Sequence, residues 1–272
     1  MWKKLNWIIE DVEEFDDLAE KLIQLNKNVK RIKFNPLLNL NIYKEDELVI
    51  CHGGVHFISY MQSKSPLWIP HSYCDFKKFD FSYYSNYFYK YLLNKDFHLF
   101  PSKVFFDNLF KDYFNNIDKI FVKSNSGKKT FSGMSISKND NLYIDSYDLR
   151  DEEIIVVSSY KEIEKEYRFV VCDKEIISGS LYKINGEFKF EKIENGEEWN
   201  FVQDVINDEL IEEAYIQDIY TIDVCSSNGN LFVLEINSFS CAGLYDCDIK
   251  RISEFIEKKS MKEYQSFLED LI

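Results

Sequence analysis

Asp223, Glu235 and Asn237 form the densest set of oxygen-bearing side chains with ligand-like spacing, in the stretch Tyr-Thr-Ile-Asp-Val-Cys-Ser-Ser-Asn-Gly-Asn-Leu-Phe-Val-Leu-Glu-Ile-Asn. Residues two apart on a strand project to the same side of a sheet. Glu235 and Asn237 therefore offer a carboxylate and a carbonyl oxygen together, a pairing that suits a hard cation such as Mg²⁺. Asp223 joins them only under a condition on register. With Asn228-Gly229 as a two-residue hairpin turn, Asp223 pairs with Leu234 and faces away from Glu235; an odd loop or a bulge brings all three to one face. The alternative is an ordinary solvated hairpin face. Against it, Ile222, Val224, Phe232, Leu234 and Ile236 make the surroundings apolar, where an unpaired carboxylate is costly and a cation is a fitting partner.

A second group is Phe121-Val-Lys-Ser-Asn-Ser-Gly-Lys-Lys-Thr-Phe-Ser-Gly133, a strand ending in lysine and followed by a small, polar loop. Backbone N–H groups can approach phosphate oxygens where side chains are small, and Lys123, Lys128 or Lys129 can neutralise the charge. The Gly-x-x-x-x-Gly-Lys-Ser/Thr order of a P-loop is missing. A basic surface hairpin is the plainer alternative. Third, Glu166 and Arg168 share a strand face, with Lys183 and Lys189 on the strands that follow; an isolated cross-strand ion pair would account for the first two without any further role.

The elements that position these residues can be read from periodicity. Residues 8–26 place Val12, Phe15, Leu18, Ala19, Leu22 and Leu25 at helical spacing, which predicts an amphipathic helix. Lys44 to Cys51 reads as a turn feeding a buried strand that ends at His52-Gly53-Gly54, a loop of the kind that often faces a ligand. Residues 83–93 predict a second packed helix, and Phe100-Pro101-Ser102 a boundary. From residue 117 short β-like runs dominate: 119–123, 154–157, 167–171, 175–182, 220–224 and 231–236, with helices near 204–218 and 248–270.

Composition narrows the function classes. A chain of 272 residues, 45% hydrophobic, can bury a sizeable core, and 23 Phe and 18 Tyr supply much of its packing. A net charge of -14 argues against non-specific nucleic-acid binding. No run of apolar residues is long enough for a membrane helix and the first ten residues do not form a signal peptide, so the expectation is a soluble, cytoplasmic protein. The six cysteines lack any Cys-x-x-Cys pair, so neither zinc nor a disulfide framework is expected. His52 and His56 stand at i, i+4, but Gly53-Gly54 between them disfavours a helical metal site. Cys241 reads as a structural thiol, with substrate contact as the alternative.

Taken in order, these pieces resemble the ATP-grasp superfamily of carboxylate-amine and carboxylate-thiol ligases over roughly residues 100–257. The continuation Asn237-Ser-Phe-Ser-Cys-Ala-Gly, with Lys129-x-Phe-x-Gly133 and the upstream Gly53-Gly54, Trp68 and Pro70, resembles the branch named for an arginine-to-lysine replacement, for which Lys183 is the candidate. The resemblance implies an α+β ATP-grasp fold, with residues 101–159 and 160–272 as two lobes gripping nucleotide, preceded by an N-terminal α/β unit over 1–100. It implies Asp223, Glu235 and Asn237 as magnesium ligands and Lys123, Arg168 and Lys183 as the catalytic cations. It further implies ATP contacts from Lys123, Lys129, Gly133, Ser158, Ser159, Glu166, Lys183 and Lys189, with Val156-Val-Ser-Ser159 as the hinge beside adenine. Lys103 is the candidate second nucleotide lysine. The implied activity joins a small-molecule or peptide carboxylate to an amine through an acylphosphate. A nucleotide-binding or interaction module that kept the fold without the chemistry is the rival.

Overall fold

The computed structural model describes residues 5–37, 47–63, 72–113, 117–138 and 153–270. Trp68, Pro70 and the turn at 44–46 lie outside the described residues. Asn-Trp-Ile-Ile-Glu forms a strand, β1 (Asn6–Glu10), and not the opening of a helix. It is central in a parallel sheet with β2 (Asn28–Ile32) and β3 (Val49–His52), ordered β2-β1-β3. Both faces of such a strand are covered, which is why Trp7, Ile8 and Ile9 are all buried and show no alternation. The amphipathic helix starts only at α1 (Asp16–Gln24), which buries Leu18, Ala19 and Leu22. Phe15 is buried in the turn before it, whereas Val12 stays exposed.

Gly53 and Gly54 join β3 to α2 (Val55–Ser63). A Cβ at Gly53 would lie 2.4 Å from the Phe57 ring, so only glycine fits there. The tyrosine-rich segment forms α3 (Phe81–Phe88) and a 3-10 turn, Tyr89–Tyr91.

An antiparallel four-stranded sheet follows, ordered β4-β7-β5-β6, from β4 (His98–Pro101), β5 (Lys119–Ser124), β6 (Met134–Ser137) and β7 (Ile154–Ser159). Strand β4 spans the boundary expected at residues 100–101, and Phe100 pairs with Ile155 inside this sheet. Short helices α4 (Ser102–Val104) and α5 (Phe110–Tyr113) flank a π-helical turn, Phe105–Leu109, whose Phe105 packs on Ile120, Val122 and Val157.

The larger sheet is antiparallel, in the order β10-β9-β8-β11-β12. Its strands are β8 (Lys165–Cys172), β9 (Glu175–Ile184), β10 (Glu187–Ile193), β11 (Ile219–Ser227) and β12 (Asn230–Ser238). Alternation along β8 divides its side chains between two cores. Val170 and Cys172 join the core of the N-terminal sheet and α8 (Ile249–Asp270); Phe169 and Val171 pack with α3, α6 (Glu197–Ile206) and α7 (Glu209–Ala214). Two helices thus replace the single one expected at 204–218, because the Asp208 side chain accepts from the Leu210 N–H and starts a new helix. The N-terminal unit is tied to α8 by Trp7, whose indole N–H donates to Glu257 at 2.9 Å. No helix of the described residues is long and apolar enough to cross a membrane.

Candidate nucleotide and metal site

The β11–β12 hairpin meets the condition on register by a bulge. Asn228 and Gly229 make the two-residue turn with φ of 50° and 71°, as a primed turn requires, and Ser227 pairs with Asn230. The register then shifts between Val224, opposite Val233, and Asp223, opposite Glu235, leaving Leu234 as the extra residue. Asp223, Glu235 and Asn237 consequently share one face. The Asn237 amide nitrogen lies 3.1 Å from Glu235 Oε1 and 3.4 Å from Asp223 Oδ2.

Each carboxylate already has a cation. Arg168, opposite Asp223 on the neighbouring strand, grips it with two parallel bonds of 2.7 Å from Nε and Nη2, and its Nη1 donates to the Gly243 carbonyl at 2.8 Å. Asp223 is fully buried. Burial pushes its carboxyl upward against the pull of the Arg168 guanidinium. Arg168 thus pairs with Asp223, not with Glu166 on its own strand. Lys129 Nζ stands 2.7 Å from Glu235 Oε1. Burial would raise the Glu235 carboxyl, but Lys129 and Lys123 together outweigh it and hold the group below the usual carboxylate range. Lys123, over the Phe81 ring at 4.5 Å, is pushed down to about 8 by burial, against the attraction of Glu235.

These groups line one cleft of about 450 Å³ between the two antiparallel sheets. It brings together Lys123, Lys129, Gly133, Glu166, Arg168, Lys183, Asp223, Glu235 and Asn237. Glu166 accepts from the Tyr182 hydroxyl at 2.7 Å and pairs with Lys183 at 3.4 Å. Four expected residues stand apart. Ser158 is buried, with no partner for its hydroxyl among the described residues; Ser159 bonds Asp96 through both its N–H and its hydroxyl. Lys189 is exposed on β10 and Lys103 is exposed on α4, and neither lines the cleft. Tyr160 and Lys161, just past the expected hinge residues, line an adjoining cavity of about 250 Å³ with Phe121, Ile163, Glu166 and Leu234.

The small polar loop after β5 is already braced. Asn125 caps α3 through its carbonyl and side chain, and the Gly127 N–H donates to Asp80 at 2.8 Å. The N–H groups of Ser126, Lys128 and Lys129 bond within the loop. The N–H groups of residues 126–129 are thus taken up within the loop and by Asp80, and Lys129 is the loop's charged contact with the cleft. Lys128 points instead over Phe76.

A larger cavity, about 1060 Å³, opens from the cleft and shares Gly127, Lys129, Arg168, Asn237 and Tyr245 with it. Sequence reasoning does not find Tyr182 and Tyr245, whose rings stack at 4.5 Å beside Arg168; aromatic residues are too common in this chain to single them out. Cys241, expected as a structural thiol, is half-buried and lines this cavity. All six thiols are free. His52 is buried in β3 and His56 is exposed in α2, so the two do not form a metal site.

Residues 103–255 match the family model described as the ATP-grasp domain of the arginine-to-lysine clade, family 2. The chain belongs to this family. No curated protein sequence matches it. Among solved structures, this ATP-grasp chain is similar to D-cycloserine synthetase DcsG, with a TM-score of 0.64 at 9% identity over 94% of this chain and 99% of that one. It is also similar to D-alanine–D-alanine ligase from Bacillus anthracis complexed with ATP (TM-score 0.60, 15% identity, 98% and 99% covered). A third is the ATP-grasp ligase PsnB complexed with its minimal precursor (TM-score 0.56, 12% identity, 95% and 100% covered). At such identities the likeness shows the fold, and the chain has the ATP-grasp fold.

Proposed function

We propose that this ATP-grasp protein of the arginine-to-lysine clade is an ATP- and magnesium-dependent carboxylate-amine ligase. The observation that carries the reading is the convergence of Lys123, Lys129, Arg168 and Lys183 with Asp223, Glu235 and Asn237 around one cleft. A cleft of one buried carboxylate, Asp223, and two half-buried ones, Glu166 and Glu235, matched by cations is suited to holding a polyphosphate and a divalent ion together. Magnesium passes a test of fit on the donor set. Asp223 and Glu235 both lie within reach of one atom, the Asn237 amide nitrogen, and their oxygens are hard donors. With its amide turned over, Asn237 would add an oxygen as a third hard donor beside them. The ion would supply charge neutralisation on the transferring phosphoryl group.

Adenine would lie toward Tyr160 and Lys161, and the phosphates toward Lys123, Lys129 and Lys183. Glu166, at the junction of the two cavities, would face the ribose. Substrate carboxylate oxygen attacks the terminal phosphorus, the bond to the bridging oxygen breaks and ADP leaves. The amine nitrogen then attacks the acyl carbon, the carbon–oxygen bond to phosphate breaks, and the amine proton departs with phosphate. The chain's cations hold the phosphoryl oxygens in position and stabilise the charge that builds on them. The larger cavity supplies room for both substrates beside Arg168. A cytoplasmic setting agrees with six free thiols.

Calorimetric titration of ATP with Mg²⁺ into the wild type and Glu235→Ala tests the reading, with circular dichroism to verify folding. Binding by the wild type that is lost in the variant, followed by ADP release that depends on an added carboxylate, is the expected result. A wild type that ignores millimolar ATP would sink the ligase reading, and ATP binding without carboxylate-dependent ADP release would favour a binding module.

A further inference from the structure

The cavity of about 250 Å³ beside the cleft contains a buried amide that no other group of the chain engages. Whole-ligand pockets are usually larger, roughly 300–1,000 Å³. This one shares Phe121, Ile163, Glu166 and Leu234 with the cleft, so it is the end of a longer site, with apolar walls that suit one planar ring system. Most of its polar side chains are committed. The Lys161 ammonium bonds Asp96 and Ser159, the Tyr160 hydroxyl donates to Glu162 at 3.3 Å, and Glu166 holds Tyr182 and Lys183. Asn185 is exposed in the turn between β9 and β10. Asn94 is the exception. It is only 8% exposed, and its side-chain amide makes no hydrogen bond among the described residues. An amide offers two donors and an acceptor oxygen, and buried ones are rarely left without partners. The unpartnered Ser158 hydroxyl and His52 Nδ1 are closed off from solvent, whereas the Asn94 amide keeps open surface and the residue lines this cavity.

Anchors on either side of Asn94 fix its place. The Leu93 N–H donates to the Val233 carbonyl at 3.0 Å on β12, and Asp96 accepts from the Ser159 N–H at 3.0 Å at the end of β7. Val233 precedes the bulge residue Leu234, which lines both cavities, and Glu235 follows it. Asn94 is thus held between the strand that carries Glu235 and Asn237 and the expected adenine hinge. Its backbone is ordered before any ligand arrives, which lowers the entropic cost of binding. It also lies outside residues 103–255, the segment that matches the family model.

We propose that Asn94 reads the nucleobase: its amide oxygen accepts from an exocyclic amino group and its amide nitrogen donates to the neighbouring ring nitrogen, the two-bond pairing by which asparagine engages adenine. This rests on the ligase reading and adds to it a specificity-determining residue supplied from outside the matched segment. A base without the amino group leaves the amide oxygen unpaired in the cavity, and a site built to hydrogen-bond a ligand group rejects the analogue that lacks it. Lys123, Lys129 and Lys183 meet the same triphosphate in both cases, so the discrimination arises in the smaller cavity alone.

The test is calorimetric titration of ATP and of purine riboside triphosphate, the analogue without the 6-amino group, into the full chain with Mg²⁺. Wild type and Asn94→Leu are compared, with circular dichroism to verify folding. The wild type should bind ATP at least about tenfold tighter than the analogue, and the variant should bind the two alike through loss of ATP affinity, with the analogue little changed. Equal binding of the two by the wild type, or a preference for ATP that survives in the folded variant, overturns the proposal. If the variant does not fold, the wild-type preference decides together with the Asn94 side-chain amide resonance, which should shift with ATP and stay in place with inorganic tripolyphosphate. A resonance that ignores ATP, or moves equally with both, overturns the proposal. ATP binding without preference for the amino group refutes the role of Asn94 and leaves the ligase reading standing; a wild type that binds neither nucleotide refutes both.

Discussion

Replacing Lys123 with methionine should stabilise the protein while removing nucleotide affinity. Lys123 titrates at about 8 against an ordinary 10.5, net of its attraction to Glu235. At about 1.4 kcal/mol per pKa unit this is roughly 3 kcal/mol of destabilisation at neutral pH. The side chain is only half-buried and solvent screens part of that, so about 1–2 kcal/mol is the expected gain, or roughly 2–6 °C in Tm for a chain of this size. The native state releases the Lys123 proton near pH 8, whereas the unfolded chain keeps it to about 10.5. Between those values the unfolded state binds more protons, wild-type stability rises with pH, and the advantage of Lys123→Met closes. On the ligase reading nucleotide binding draws on the charged form, so wild-type ATP affinity should fall as pH rises from 7 to 9. Thermal melts of both proteins at pH 7 and 10, with ATP calorimetry at pH 7 and 9, measure all of this. A variant less stable than wild type at pH 7, or an advantage undiminished at pH 10, would show that the lysine is not penalised by burial.

Arg168→Met leaves Asp223 buried without a counter-ion and should cost about 3–5 kcal/mol in urea unfolding; a loss below about 1 kcal/mol would show that water reaches Asp223. Gly179→Ala places a Cβ 2.6 Å from two carbons of the buried Phe169 ring and should cost about 1–3 kcal/mol by the same assay; a neutral outcome would mean that the ring moves aside. Burial lowers His52 to about 4 from an ordinary 6.5, so the unfolded state binds more protons between those values. Stability should therefore fall as pH drops from 6.5 to 4, by up to about 3 kcal/mol from this residue. A His52→Phe variant should lose that part of the slope, and an unchanged slope would assign it to other groups.

Four of the five strands of the larger sheet, all but β10, are legible in the sequence because they are bounded runs of β-branched and aromatic residues whose ends match the observed strands within a few positions. The metal face is legible as a condition, since period-two geometry fixes which pairs share a side and only the Leu234 bulge decides it. Strand β1 escapes a periodicity reading for a physical reason: a central parallel strand is apolar on both faces, and Ile8 and Ile9 extend the helical spacing of the residues after them. Asp208 is a readable helix-start signal inside the region expected as one helix. The walls of the larger cavity are not legible. Glu13, His52, Phe188 and Tyr245 are brought together by packing of the N-terminal sheet against the β8–β12 sheet, and no local pattern links them.

The two ion pairs of the cleft are built differently, and the difference bears on how the site would accept nucleotide. Arg168 and Asp223 are joined by two bonds with side-chain exposures of 8% and 0%. Separating them would strand a buried charge. Lys129 and Glu235 share one contact with exposures of 52% and 24%, and Lys129 stands in a loop at a φ of 48°. Such a pair is worth about 1 kcal/mol or less. On the ligase reading, Lys129 can leave Glu235 for a phosphate oxygen at small cost and free the carboxylate for its role as metal ligand. Asp223 keeps Arg168 and contributes through lone pairs the guanidinium does not use, since each carboxylate oxygen has two. On that reading the fixed pair would hold the geometry of the cleft, and the exchangeable pair its charge balance until phosphate and cation arrive together.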